Sequence, residues 1–361
     1  MIQQFEPLFS DSESVGMMSY MSGNNYLTEF KETKSFEQAL GEITNCKNVS
    51  CVNNGTVSLS IALKAVGVKP GDVVIVPNFT MFATASAAWF IGADIAFCDV
   101  RKQDLLLDLN LAEEMLSDRV KAVIITNANG RTHGSAEFSK FYTKCHNLGI
   151  AVIEDAAQGI CSKYDNGVHA GLLGDIGSLS FSVPKLITTG QGGALITHNA
   201  QLADRIKFLK DFGRSQGGND IHCEMGINSK FTDLQAVIGL AQLRDLSWRV
   251  NRKKEIHRLY SVHLKHASTG YFFDYDISST VPWFYEYICD DKQQVKAKLD
   301  ENGIGTRDMY PRLNKQVAFV DHYQCQHVYP VSKFVEDHGI WLPSSLTLSD
   351  DDIYKICSIL K

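Results

Sequence analysis

The sequence predicts an α/β fold with a mostly parallel central sheet, helices on both faces of that sheet, and a smaller C-terminal α+β domain. From about residue 48, short runs rich in β-branched residues alternate with segments of helical length. These runs are apolar throughout, which is typical of strands buried on both faces of a parallel sheet. From about residue 270 the pattern changes to aromatic, alternating runs. We therefore expect a large domain over residues 1–248 and a smaller one over residues 249–361.

The predicted elements of the large domain follow one another as strands and helices. The first strand is NVSCV, its helix is VSLSIALKAVG, and a KPGD turn leads to the strand VVIVP and the helix FTMFATASAAWFIGA. DIAFCDV, KAVIITN and IAVIED are further strands, with a helix at SAEFSKFYTKCHNLG before the last of them. ALITHN is one more strand, and the helix AQLADRIKFLKDFG follows it. A long helical region then begins at a capping box formed by Thr232 and Gln235.

The C-terminal part begins with two predicted strands, YFFDYDI and WFYEYIC, followed by the helix DKQQVKAKLDENG. Ser349 and Asp352 form a second capping box at the start of the last helix. Before these elements, the basic residues of WRVNRKKEIHR alternate with apolar residues at helical spacing. We interpret them as the solvated face of a helix rather than as a phosphate-binding patch.

Composition narrows the class of protein. The chain has 361 residues, is 44% hydrophobic and 21% charged, and carries a net charge of -6, which disfavours a nucleic-acid or anionic-membrane partner. Its nine cysteines are scattered and include no CxxC pair, so we expect neither a disulfide framework nor a zinc site. The N-terminal residues lack the pattern of a signal peptide, and no apolar stretch reaches membrane-spanning length. A soluble cytoplasmic protein without a metal is expected.

The stretch VNNGT leads from a strand into a helix at Asn54, Gly55 and Thr56. Glycine lets the backbone approach an oxyanion closely, and the start of a helix offers free N–H groups and the positive end of its dipole. The same residues also suit an ordinary helix cap, and the sequence leaves both interpretations open. The stretch is neither a GxGxxG fingerprint nor a Walker loop, which disfavours a dinucleotide-binding protein or an NTPase.

Two further polar signals follow predicted strands. In AVIEDAAQG, Asp155 at a strand end could serve a cationic cofactor nitrogen, a metal or a helix cap, although further carboxylates for magnesium are missing. In SLSFSVPKLITTGQGG, Lys185 could be a solvated residue, an anion ligand or a reactive amine. Together with the helix start, these residues suit pyridoxal 5'-phosphate. The lysine would form the Schiff base, the acid would keep the pyridine nitrogen protonated, and the helix would hold the phosphate.

In their order and spacing these segments resemble the DegT/DnrJ/EryC1/StrS sugar aminotransferases over nearly the whole chain. The resemblance rests on NNGT, GDVVIVPNFT, VIEDAAQ, GDIGSLSFSVPKLITTGQGGALIT, GINSKFTDLQAVIGLAQL, RDMYPRL and WLPSS. It implies a fold type I pyridoxal-phosphate aminotransferase with Lys185 as the Schiff-base lysine and proton shuttle. It also implies that Asp155 pairs with the pyridine nitrogen and that Gln158 contacts the oxygen on the cofactor ring.

The resemblance places further residues around the cofactor and the substrate. Gly55, Thr56 and Ser180 would bind the phosphate, and Asn228 would reach the phosphate of the neighbouring subunit, because active sites of the family lie at a homodimer interface. The remaining residues assigned to the cofactor or, more loosely, to the substrate are Asn54, Met81, Lys230, Arg307 and Tyr310. For Arg307 a surface salt bridge explains the sequence nearly as well as an anionic sugar nucleotide.

The reaction implied is transfer of an amino group from L-glutamate to a nucleotide-linked keto sugar, in surface-glycan biosynthesis. The turn TTGQGG is close to the TTGEGG of members that aminate C4 of 4-keto-6-deoxysugars, the GDP-perosamine synthase type. Alternatives are amination at C3 of a 3-keto nucleotide sugar, a keto-cyclitol substrate, or a non-catalytic protein that binds the cofactor. Related dehydratases have histidine in place of the lysine, so Lys185 argues against that activity.

Several positions depart from the family pattern. Gln191 stands where glutamate is usual, and Met81 stands where an aromatic residue often stacks on the cofactor ring. Phe79 or Phe82 could cover the ring instead. NANGRTHG replaces the common HLYG-like stretch, and its His133 is expected to be structural or solvated rather than catalytic.

Overall fold

The computed structural model describes residues 1–215, 220–320 and 328–361. Its larger sheet has seven strands in the order β1-β7-β6-β5-β4-β2-β3. Strand β7 runs antiparallel to its neighbours β1 and β6, and the other pairs are parallel. The predicted, mostly parallel central sheet is therefore confirmed. The strands are β1 (Asn48–Val52), β2 (Val73–Pro77), β3 (Asp94–Cys98), β4 (Val120–Thr126), β5 (Ala151–Asp155), β6 (Ile176–Ser180) and β7 (Gly193–Thr197).

Helices cover both faces of this sheet. They are α1 (Asp11–Ser22), α2 (Lys31–Thr44), α3 (Gly55–Ala65), α4 (Phe82–Phe90), α5 (Leu109–Glu114), α6 (Ser135–Asn147), α7 (Ala200–Lys210) and α8 (Asp233–Arg244). Alternate residues of one strand enter opposite cores: Val76 packs in the core with α3, α4 and α7, whereas Ile75 packs in the core with α5 and α6. A third core lies under α2 and α8. Burial on both faces explains why these strands are apolar throughout.

The C-terminal part is built on a second, antiparallel sheet in the order β10-β11-β9-β8. Its strands are β8 (Gly270–Phe272), β9 (Tyr285–Cys289), β10 (Arg307–Asp308) and β11 (Gly339–Leu342). The helices that follow α8 are α9 (Leu246–His263), α10 (Lys292–Glu301), α11 (Val317–Val320), α12 (Pro330–His338) and α13 (Asp350–Leu360). The proposed division between residues 248 and 249 falls inside α9, whose first turns pack on the large-sheet core and whose last turns pack on the small-sheet core.

The region around α9 differs from two sequence expectations. The single long helical region is interrupted at Asp245, where α8 ends and α9 begins. The basic stretch WRVNRKKEIHR is only partly solvated, because Arg249, Lys253 and His257 are buried at a spacing of four residues. Lys253 Nζ donates to the carbonyls of Trp283 and Ser344, both at 2.6 Å. Since α9 lies between two cores, its polar stripe faces backbone carbonyls and aromatic rings instead of water.

Both predicted capping boxes are confirmed, at Thr232 with Gln235 and at Ser349 with Asp352. No helix in the described part of the chain is long and apolar enough to cross a bilayer.

Candidate active site

The start of α3 forms a cradle at the carboxyl end of β1. The side chain of Asn54 accepts a hydrogen bond from the Val57 N–H at 2.9 Å, so Asn54 is the N-cap of the helix. The first N–H groups of a helix have no intrahelical partner. The cap satisfies the amide of Val57 and leaves those of Gly55 and Thr56 for an anion. The turn can therefore cap the helix and still offer two amides to an anion.

Ser180, the last residue of β6, closes the other side of this cradle. A Cβ atom on Gly55 would lie 3.0 Å from Ser180 Cβ and 3.2 Å from Ser180 Oγ. A Cβ on Gly193, at the start of β7, would lie 2.7 Å from the carbonyl carbon of Asn54. Both positions therefore require glycine, because a side chain there would collide with Ser180 or with the backbone of Asn54. The absence of side chains lets the Ser180 hydroxyl lie close to the positive end of α3.

Lys185 lies on the loop between β6 and β7, next to the carboxylate of Asp155. Burial lowers the pKa of Lys185 to about 8, the negative charge of Asp155 raises it, and the positive charge of Arg307 lowers it. The Lys185 Nζ lies 4.4 Å from the centre of the Trp283 ring. At pH 7 a lysine with this pKa is neutral for roughly one-tenth of the time, which is far more than for a solvated lysine.

Asp155 ends β5 and is 5% exposed. Its Oδ2 accepts a hydrogen bond from Thr84 Oγ1 at 2.8 Å, and its Oδ1 accepts a longer one from the Ala157 N–H at 3.3 Å. Burial raises the pKa of Asp155, while the Thr84 hydrogen bond and the charge of Lys185 lower it. The hydrogen bonds orient the carboxylate, and the nearby positive charge does not offset the effect of burial on its pKa. The carboxylate therefore suits a cationic partner from outside the chain.

Gln158 and Tyr310 line a narrow crevice beside these two residues. The Oε1 of Gln158 accepts from the backbone N–H of Asn129 at 2.5 Å, and its Nε2 donates to the Tyr310 hydroxyl at 3.5 Å. The Tyr310 ring contacts Trp341 edge-on at 4.7 Å, and Arg307 lies 5.5 Å from the same indole ring. The structure therefore brings the predicted Gln158, Arg307 and Tyr310 to one side of Lys185 and Asp155.

The three residues considered for covering the cofactor ring lie in different surroundings. Met81 is the N-cap residue of α4 and is 47% exposed. Phe79 is buried against Tyr310, with ring centres 5.9 Å apart, and Phe82 stacks on Phe319 at 5.2 Å. Met81 is thus the least engaged of the three within its own chain.

Asn228 and Lys230 lie on an exposed segment beside the start of α3. The backbone N–H of Asn53 donates to the Ser229 carbonyl at 3.1 Å, which fixes this segment to the end of β1. The Lys230 Nζ pairs with Asp211 at 2.5 Å. In the described part of the chain neither Asn228 nor Lys230 contacts Lys185 or Asp155 of the same subunit. Their role at a neighbouring subunit remains a prediction.

The sequence did not reveal several residues that shape the site. Asn129 adopts a left-handed conformation with φ 53°, and its side chain bonds the backbone of Trp283 and Phe284. Arg131 and Glu286 form a buried ion pair, and Glu286 lines the crevice. Asparagine before glycine is a signal for the left-handed turn, but nothing in the local pattern marks the distant partners.

His133 has a structural contact, as expected. It is buried, and its Nε2 lies 2.9 Å from the Leu107 carbonyl. Burial lowers its pKa, so the ring is neutral near pH 7.

Comparison with known proteins gives a consistent family assignment. The profile of the DegT/DnrJ/EryC1/StrS aminotransferase family matches residues 10–361. The GDP-perosamine synthase of Vibrio cholerae is 28% identical over 100% of this chain and 98% of its own length. The UDP-2-acetamido-2-deoxy-3-oxo-D-glucuronate aminotransferase of Pseudomonas aeruginosa is 31% identical over 91% of this chain and 90% of its own length.

Solved structures agree with this assignment. An aminotransferase, TlmJ, from Streptoalloteichus hindustanus superposes with a TM-score of 0.91 at 26% identity, covering 99% of this chain and 97% of that one. The pyridoxal-phosphate form of a putative sugar aminotransferase, Spr1654, from Streptococcus pneumoniae gives a TM-score of 0.91 at 22% identity, covering 98% and 96%. The second likeness supports the fold alone.

Proposed function

The chain belongs to the DegT/DnrJ/EryC1/StrS aminotransferase family, and we propose that it transfers an amino group from L-glutamate to C4 of a nucleotide-linked 4-keto-6-deoxysugar. It is a pyridoxal-phosphate-dependent sugar aminotransferase. The observation that carries the proposal is a half-buried lysine whose amine interacts with the charge of a buried aspartate, close to a helix start that suits a phosphate. Surface-glycan biosynthesis is the proposed context.

The residues present fit the cofactor. The cradle between α3 and Ser180 has the amides, hydroxyl and dipole that a phosphate requires, and Gly55 leaves the space that a Cβ would fill. Asp155 is buried and short of positive charge, so it would hold the protonated ring nitrogen. Lys185 would hold the aldehyde carbon through its Nζ. When bound, the cofactor supplies an electron-withdrawing ring that stabilises negative charge on the carbon next to the amino group.

The chain's own residues would then move one proton in each half-reaction. The free Lys185 Nζ would take the proton from the donor α-carbon and would later give a proton to the sugar carbon that gains the amino group. Its pKa of about 8 suits both tasks near neutral pH, because a base and an acid form are both accessible. Asp155 keeps its position through Thr84, and the Trp283 ring beside the Lys185 amine would limit water there.

The likeness of the turn TTGQGG to the TTGEGG turn of members that aminate C4 is what supports amination at C4. Gln191 at its tip is exposed, and it lines a pocket together with Thr56 and Phe82. Its carbonyl accepts hydrogen bonds from Thr189 and from Gln235, both at 2.6 Å. These contacts use the backbone, so the side chain is available to a ligand. A second candidate is amination at C3, which the 31% identical relative named as acting on a 3-oxo sugar favours.

We also propose a homodimer with the active site at its interface. The apolar side chains of Phe82, Trp89 and Phe90 are 37%, 53% and 72% exposed. Phe82, Trp89 and Phe90 border the pocket that contains Thr56 of the cradle. An exposed apolar patch of this kind suits a partner surface, and the family resemblance assigns to the partner an asparagine at the position of Asn228 that reaches the phosphate.

The test is the absorption spectrum of the protein with pyridoxal phosphate, before and after L-glutamate. We expect glutamate to remove the visible band of the bound cofactor and to yield 2-oxoglutarate, and we expect no such turnover in Lys185→Ala. Lys140→Ala, an exposed lysine on α6, is the matched control and should behave like the wild type. A band that does not respond to glutamate or other amino donors would support the non-catalytic alternative.

Substrate position is tested separately, with the aminated form of the enzyme. GDP-, dTDP- and UDP-linked 4-keto-6-deoxysugars and 3-keto sugars are offered in turn, and NMR of the product locates the new C–N bond. Product with nitrogen on C3 alone would replace the first candidate by the second.

A further inference from the structure

Trp283 joins the small sheet to the loop that carries Lys185. It lies two residues before β9 and is 5% exposed. Its indole Nε1 donates a hydrogen bond to the carbonyl of Pro184 at 2.7 Å. Its ring centre lies 4.4 Å from Lys185 Nζ, within the range in which a ring face attracts an ammonium group. One side chain thus holds both the backbone before the lysine and the lysine's amine.

The position of Trp283 is itself fixed from several directions. Its backbone N–H donates to Asn129 Oδ1 at 2.8 Å, and its carbonyl accepts from the buried Lys253 Nζ at 2.6 Å. Its ring stacks on Phe284 at 3.8 Å and meets Trp341 edge-on at 5.7 Å. Every polar group of Trp283 is therefore paired. These contacts fix the position of the Trp283 ring before any ligand binds, so the ring can hold a neighbouring group in place.

In the part of the chain that the structure describes, two charged groups act on the Lys185 amine, Asp155 and Arg307. Asp155 favours its ammonium form, and Arg307 disfavours it. The indole face adds a second attraction for the ammonium, on the side of the amine that the ring occupies. Whenever the amine is free, the ring therefore offers it a defined position beside Asp155.

We propose that Trp283 is a positioning residue for Lys185: its N–H fixes the loop that carries the lysine, and its ring holds the free amine as an ammonium group. The proposal rests on Lys185 being the reacting amine of the proposed function, but on no particular donor or sugar. Trp283 belongs to the C-terminal part of the chain and Lys185 to the large domain. The contact between them therefore links the two parts of the chain at the site.

The experiment uses the full-length protein before cofactor is added. A brief pulse of acetic anhydride over a pH series, followed by mass spectrometry of the Lys185 peptide, gives the pKa of that amine. Amide hydrogen exchange of residues 182–187 reports how firmly the loop is held. The variants are Trp283→Leu, which removes ring and N–H, and Trp283→Phe, which keeps an aromatic face and removes the N–H. Trp248→Leu, on an exposed tryptophan of α9, is the control.

We expect Trp283→Leu to lower the pKa of Lys185 by about one unit and Trp283→Phe to change it by less than about half a unit. Both variants should exchange the loop amides up to about tenfold faster, because both lose the bond to Pro184. Trp248→Leu should change neither quantity, and a change of equal size there would overturn the assignment. An unchanged pKa in Trp283→Leu, or unchanged exchange in Trp283→Phe, would also overturn it.

These readouts need neither cofactor nor substrate, so they can fail or succeed independently of the aminotransferase proposal. If Trp283→Leu does not fold, the exchange measurement on Trp283→Phe decides the question.

Discussion

Replacing Arg131 by methionine should destabilise the protein far more than removing an exposed arginine. Arg131 and Glu286 have side chains only 4% and 2% exposed, and two N–H groups of the guanidinium bond the two carboxylate oxygens. The Arg131 Nε also donates to the carbonyl of Asp104 at 2.6 Å, and the guanidinium lies 4.8 Å from the Tyr275 ring. Methionine keeps much of the apolar stem and loses all the donors.

The expected cost follows from what the substitution leaves behind. Without Arg131, the carboxylate of Glu286 is buried with no counter-charge, and breaking such a pair from one side costs about 3–5 kcal/mol. The control is the surface pair of Arg119 and Asp94, whose side chains are 70% and 53% exposed at 2.8 Å. Solvent screens that pair, so Arg119→Met should cost less than about 1 kcal/mol.

The assay is urea unfolding of the cofactor-free protein at fixed protein concentration, followed by tryptophan fluorescence. The double variant with Glu286→Gln should lose less free energy of unfolding than the sum of the two single variants, because the second change removes the unpaired charge. The reasoning is refuted if Arg131→Met costs no more than Arg119→Met, or if the double variant is fully additive.

Three further outcomes follow from the site and from α9. Ser180→Ala should weaken pyridoxal-phosphate binding about tenfold, in a fluorescence titration, because it removes one hydroxyl donor to a charged phosphate; an unchanged affinity would exclude Ser180 from the cradle. Asp155→Asn should still bind the cofactor but slow the glutamate half-reaction, followed by stopped-flow absorbance, about 100-fold or more; an unchanged rate would exclude the ring-nitrogen role. Burial lowers the pKa of His257 from 6.5 to about 4, with Asp274 opposing the shift. Between those pH values His257 is protonated in the unfolded chain and neutral in the folded chain. Protonation therefore stabilises the unfolded chain, and the free energy of unfolding falls as pH falls. From pH 7 to pH 5 this loss is about 2 kcal/mol. Urea unfolding at the two pH values should show the loss reduced in His257→Phe, and an equal loss in both proteins would contradict it.

The sequence predicts best those features that depend on residues close together in the chain. Apolar strand runs identified the central sheet because both of its faces are buried. Asp155 and Lys185 are predicted site residues because ionisable residues at the ends of apolar strands need partners. Trp283 could not be found in this way, because its role depends on Asn129, Pro184 and Lys185 across distances of about one hundred residues or more in the chain. An aromatic residue in a predicted strand is equally typical of a core.

The error at α9 has the same origin. Helical periodicity shows that Arg249, Lys253 and His257 share a face, but it does not show what packs against that face. Periodicity favours solvent because most polar stripes are solvated. Here the stripe meets the carbonyls of Trp283 and Ser344, and burial makes a structural donor of Lys253. Burial lowers the pKa of that lysine to about 7, close to the value at Lys185. A lowered lysine pKa alone therefore does not identify a reactive amine; the proposal for Lys185 rests instead on the charge of Asp155 and on the helix start of α3 near the lysine.

The stretch NANGRTHG, which departs from the family pattern, proves to be structural, and this narrows where specificity resides. Asn129 accepts a left-handed backbone that most side chains resist, and its amide bonds the backbone of residues 283 and 284 and the hydroxyl of Tyr275. Its own N–H orients Gln158. The stretch therefore fixes the small sheet to the carboxyl edge of the large one, with its side chains turned away from solvent. Residues that choose among keto sugars are then better sought at the exposed rim, at Gln191 and Arg307, where side chains have polar groups left for a ligand.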